Sequence, residues 1–119
     1  MIELPRAPAH VEPYIEALGF DLAVEFLLEF GGTAVYLPDR AGGRGEVERF
    51  LGAEKLKALK GQEHRMSARV PRPKRWLAMV LRAQGLSEAR TARKVGVTDK
   101  TIRQWMRGPG GNASQLSLF

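Results

Sequence analysis

The chain has no cysteine and only two histidines, His10 and His64, far apart in sequence. Without thiols there can be no disulfide frame and no thiolate metal site, and two distant imidazoles do not make a zinc centre. No metal or cofactor is expected. Long hydrophobic runs are also missing. The most apolar stretch, Phe20 to Phe30, is about half the length of a membrane span and is interrupted by Asp21, Glu25 and Glu29, so no membrane crossing is expected. Met1 to Arg6 lacks a basic start followed by an apolar run, so no secretory signal is expected and a cytoplasmic location is the default. Serine and threonine residues stand without a nearby base, and the carboxylates spread along helix faces, so the reading is a protein that is not an enzyme. With 44% hydrophobic residues in 119, the chain still has enough apolar matter for a modest core.

The second half is also poor in acid. Residues 1–60 hold seven lysines and arginines against ten carboxylates, whereas residues 61–119 hold twelve against three. The basic half looks built to meet a polyanion. A mainly α-helical architecture in four parts follows from the pattern: an N-terminal dimerisation lobe with one short strand over 1–62, a linker over 63–73, a helix-turn-helix domain over 74–107 and a tail over 108–119.

In the first part, Val11, Tyr14, Ile15 and Leu18 follow the i, i+3, i+4, i+7 spacing of one helical face, closed by Gly19. The helix over 21–30 is apolar nearly all round, with Asp21, Glu25 and Glu29 forming a single acidic stripe. A lobe of about 60 residues buries only about 60% of its unfolded surface, so it struggles to cover such a helix by itself. After Gly31-Gly32, the run Thr33-Ala-Val-Tyr-Leu37 consists mostly of β-formers bounded by Pro38. A lone strand needs a pairing partner, and the simplest is the same strand of a second copy. Both features predict a homodimer, with Leu22, Val24, Phe26, Leu27, Leu28, Phe30, Val35 and Tyr36 at its interface. Residues 46–60 read as a further helix bent at Gly52. Ile15-Glu-Ala-Leu-Gly19 is echoed faintly by Glu48-Arg-Phe-Leu-Gly52.

Beyond the polar, proline-punctuated linker, Lys74 to Gln84 reads as a helix burying Leu77, Val80 and Leu81 and stopped by Gly85. Ser87 and Thr98 are placed as N-caps of two further helices joined by a tight turn at Gly96. Ala92 must be small where these helices cross, and Val95, Val97, Ile102 and Trp105 fill the wedge between them. The last helix then exposes donor-rich side chains. Asp99, Lys100, Thr101, Arg103 and Gln104 are the expected contacts to base edges in a DNA major groove. Arg72, Lys74, Arg75, Ser87, Arg90, Arg93, Lys94 and Arg107 are the expected contacts to phosphates. Trp76 and Trp105 are read as core.

Leu28-Glu-Phe-Gly-Gly32, Thr33-Ala-Val-Tyr-Leu-Pro38 and the C-terminal helix-turn-helix together resemble the Mor/C family of phage middle and late transcription activators, over roughly residues 11–107. The resemblance implies an intertwined dimer, two DNA-binding domains spread for an inverted repeat, and recruitment of host RNA polymerase. At the end of the glycine-rich tail, Gln115-Leu116-Ser117-Leu118-Phe119 resembles the peptide with which bacterial proteins dock on the replicative sliding clamp. That resemblance implies apolar anchors at Leu116, Leu118 and Phe119 and a hydrogen-bonding anchor at Gln115. A regulator of transcription and a clamp-linked replication adaptor are therefore the two functions in view.

Overall fold

The computed structural model describes residues 6–38 and 45–107. The tail peptide Gln115 to Phe119 lies outside the described residues. Seven α-helices occur among them: α1 (Glu12–Leu18), α2 (Phe20–Phe30), α3 (Glu46–Leu51), α4 (Ala53–Lys60), α5 (Lys74–Ala83), α6 (Glu88–Val95) and α7 (Asp99–Arg107). The chain divides into two compact units, Pro8–Arg72 and a second one built on Pro73 and the residues after it together with Ala7 and those before it.

The N-terminal unit is made of two helix–glycine–helix pairs, and α1 packs on both α2 and α4. Gly19 joins the first pair at φ 86°, ψ 161°, and Gly52 joins the second at φ 85°, ψ 162°. In both, the glycine N–H closes the helix behind it, onto the carbonyl of Ile15 at 2.8 Å or of Glu48 at 2.7 Å. The glycine carbonyl then opens the next helix by accepting from Ala23 at 2.9 Å or Leu56 at 3.0 Å. The faint sequence echo is therefore a repeated joint. No atom would obstruct a Cβ at either position, so the barrier to substitution is backbone conformation alone. Gly19→Ala or Gly52→Ala is expected to lower stability by about 1–3 kcal/mol, read by urea denaturation, because this region of φ and ψ is nearly exclusive to glycine.

The core of this unit centres on aromatic rings from three helices. Phe26 lies 5.9 Å from Tyr14, 4.9 Å from Phe30 and 6.3 Å from Phe50, centroid to centroid, and Phe30 lies 5.5 Å from Phe50. The lobe covers more of α2 than its size suggests. Val24, Phe26, Leu27 and Phe30, expected at a dimer interface, are buried within the protomer, whereas Leu22, Leu28 and Val35 are half-buried and Tyr36 is 80% exposed. The acidic stripe of Asp21, Glu25 and Glu29 does face outward.

Two further expectations are corrected. No strand forms among the described residues. Residues 34–38 carry no regular structure, and the pairing begun at their start is made within the chain: Gly32 N–H donates to the Val70 carbonyl at 2.7 Å and Val70 N–H to the Thr33 carbonyl at 2.8 Å. A single pairing residue, Val70, is too little for a ladder. Residues 63–72, expected as most of the linker, instead belong to the N-terminal unit. Val70 is buried, Arg65 pairs with Glu16 at 2.9 Å, and Arg72 donates to the Leu28 carbonyl at 2.9 Å, where α2 leaves its last carbonyls without helical partners.

Tyr14 is wholly buried, and its hydroxyl has no hydrogen-bond partner among the described residues. Burial raises its pKa above the ordinary tyrosine value of 10.0. The unfolded chain is then the stronger acid, so stability holds below about pH 10 and falls as the pH rises through the folded pKa. Tyr14→Phe should reduce this alkaline loss and, at neutral pH, leave stability unchanged or raise it by about 1 kcal/mol. Denaturation curves at about pH 8 and about pH 10.5 check both expectations.

Candidate nucleic-acid interface

In the C-terminal unit, α5, α6 and α7 each pack on the other two. Trp76, Leu77, Val80 and Leu81 of α5 are buried with Ala92 and Val95 of α6 and Ile102 of α7. Val97 and Trp105 are half-buried, at the edge of the wedge they were expected to fill.

Local sequence sets each joint. The Ser87 side chain accepts from Arg90 N–H at 3.2 Å and starts α6. Gly96, left-handed at φ 88°, ψ 40°, closes it through its N–H on the Ala92 carbonyl at 2.8 Å, and Val97 N–H donates to the same carbonyl at 3.0 Å. The Thr98 hydroxyl then accepts from Thr101 N–H at 3.2 Å, and Ile102 N–H donates to the Thr98 carbonyl at 3.2 Å. Helix, three-residue turn and helix are thus fixed by side-chain caps at the two starts and a glycine between them.

The outer face of α7 carries Asp99, Lys100, Arg103, Gln104 and Arg107, all exposed and spaced i, i+1, i+4, i+5, i+8 along one side. Thr101 differs. It is half-buried, and its hydroxyl lies 3.0 Å from that of Thr98, so it serves the start of the helix more than its outer face. Lys74, Arg75, Ser87, Arg90, Arg93 and Lys94 are exposed on α5, α6 and the residue that caps α6. Arg72 is the expected phosphate contact that falls elsewhere, in the N-terminal unit, at the end of α2.

Residues 70–116 match the homeodomain-like domain family. No curated protein and no solved structure matches the chain. The match spans α5, α6 and α7, so the helix-turn-helix of the C-terminal unit is of a DNA-binding kind. A homeodomain-like helix-turn-helix places its last helix against the major groove, with base-reading side chains on the outer face. Here that helix would be α7. Among the described residues no group of three or more histidines and carboxylates is arranged to hold a metal ion. No helix among them is long and apolar enough to cross a membrane.

Two features of the site were missed in the sequence. The Thr98–Thr101 pair has the i, i+3 spacing of a helix-start cap, which could have separated Thr101 from the side chains of the outer face. Arg103 lies 3.6 Å from both Asp99 and Glu88. The i, i+4 spacing signals the first pair, but only the folded turn reveals the second.

Proposed function

We propose that the chain is a sequence-specific double-stranded DNA-binding transcription activator of phage or prophage type, acting as a homodimer on an inverted repeat. The observation that carries the reading is the outer face of α7, where Lys100, Arg103, Gln104 and Arg107 stand exposed on a helix-turn-helix with the homeodomain-like match. Gln104 suits adenine and Lys100 and Arg103 suit guanine, while Arg90, Arg93 and Lys94 on α6 and Arg107 at the end of α7 suit phosphates. Recruitment of bacterial RNA polymerase follows from the resemblance of residues 11–107 to the Mor/C activators.

Gel shifts over a salt series test the division of labour. Gln104→Ala should cost about 1–3 kcal/mol at one base pair and leave other positions alone. Arg93→Ala should weaken all sequences alike and reduce the salt slope by about one. If both variants weaken every duplex equally, the base-reading role of Gln104 is wrong.

The homodimer is supported by Tyr36, 80% exposed on a segment where no backbone hydrogen bond among the described residues engages Ala34, Val35 or Tyr36. Exposed edge groups of this kind are a template for a second chain. Sedimentation of the full chain at micromolar concentration should show a dimer, weakened by Tyr36→Lys. A monomer that still binds an inverted repeat cooperatively would contradict this assembly.

The tail sequence supports a second reading, a replication adaptor that docks on the bacterial sliding clamp through Gln115 to Phe119. Calorimetry with a bacterial clamp separates the two. Heat lost on changing Leu118 and Phe119 to alanine, with DNA affinity intact, would favour the adaptor. No heat would leave the regulator alone.

A further inference from the structure

Residues 73–107 contain nine lysines and arginines but only two carboxylates, Glu88 and Asp99. Both converge on one guanidinium. Arg103 Nη1 lies 3.6 Å from Glu88 Oε1 and 3.6 Å from Asp99 Oδ2. Glu88 is the first residue of α6 and Asp99 the first of α7, so Arg103 is held from both helices of the helix-turn-helix. All three side chains are between 37% and 58% exposed.

Fold stability is a poor reason for this arrangement, because exposed ion pairs contribute about 0–1 kcal/mol. Two anions on a surface that meets phosphates also weaken DNA binding. Their compensating effect is on geometry. An arginine side chain carries roughly 2 kcal/mol of rotamer entropy, and left free on a basic surface it reaches the nearest phosphate. At 3.6 Å the contacts lie beyond hydrogen-bond length, so they orient the fork without consuming its donors. Guanine offers two in-line acceptors, O6 and N7, to such a fork in the major groove.

We propose that Glu88 and Asp99 are positioning residues that make Arg103 a guanine reader instead of a phosphate contact. The inference rests on the DNA-binding reading above and names the base that one α7 side chain selects. Without Glu88, Arg103 would gain freedom to reach phosphate, so binding to all DNA would strengthen while selection at one position weakened.

The test uses the full-length chain and the duplex it selects from a random pool, varied base by base through each half-site. The wild type should prefer guanine at the position that Arg103 reads. Glu88→Gln should lower that preference by up to about fivefold, while affinity for random duplex rises and the salt slope steepens by about one. Arg103→Lys keeps the charge but loses the fork, and should remove the same preference. In an Arg103→Ala background, Glu88→Gln should leave that position unchanged. Melting curves should match across the set, since the pairs add little to stability. If Glu88→Gln strengthens all duplexes equally with base preference intact, the carboxylate merely repels DNA and the proposal is overturned. An unchanged affinity and preference overturns it as well. If the wild type selects no sequence at all, the DNA-binding reading itself fails, a result separable from both.

Discussion

Replacing Ile102 with alanine is expected to abolish DNA binding although Ile102 faces away from the surface that would meet DNA. Its side chain is wholly buried, on the side of α7 that packs against α5 and α6. Removing it costs about 2–5 kcal/mol, counting both the lost transfer energy and the cavity left behind. A unit with so few helices has a core too small to absorb that loss. The turn at Gly96 then no longer holds α7 in place, and the side chains of its outer face lose their common orientation. Circular dichroism should show a partial loss of helix at room temperature, and gel shifts should show loss of binding to every duplex. Binding that survives with the fold intact would mean that α7 is held by contacts other than those described.

Phe26→Ala is expected to have an effect of similar size in the N-terminal unit. Phe26 is wholly buried and touches three other aromatic rings, those of Tyr14, Phe30 and Phe50. Truncating such a residue costs about 3–5 kcal/mol. Melting of this unit should also lower affinity for an inverted repeat if the unit joins two copies, while binding to a single half-site changes little. Two-site and one-site duplexes compared in the same titration separate these effects. Equal losses on both duplexes would argue against dimerisation through this unit.

The C-terminal unit was the more legible part of the sequence because its signals are local. Ser87, Gly96 and Thr98 cap or break helices by contacts within a few residues, and the structure uses all three in those roles. The bend at Gly52 was legible for the same reason. The N-terminal unit was less so, because its decisive contacts span long stretches of chain. A run of β-formers at 33–37 has no strand identity without a partner, and the available partner is a single residue, Val70. Residues 63–72 are polar and basic, the usual composition of a linker, yet Arg65 and Arg72 reach back to α1 and α2. Val70, a lone β-branched residue in that polar run, was the one local hint. The burial of Phe26 and Leu27 within the protomer likewise depends on α1 and on rings that the sequence cannot place beside them. On α7, the exposed place of Arg103 was legible, but its tie to Glu88 exists only once the turn at Gly96 brings α6 and α7 together.

In the function proposed above, α7 reads a DNA sequence. Selection of the full-length protein on a pool of random duplexes tests it most directly. Enrichment of an inverted repeat is expected, with half-sites centred about one helical turn apart or a small multiple of it, and with adenine and guanine contacts that Gln104→Ala and Arg103→Lys respectively erase. A pool that emerges with no enriched sequence, from a protein that is folded and binds duplex DNA, would contradict it.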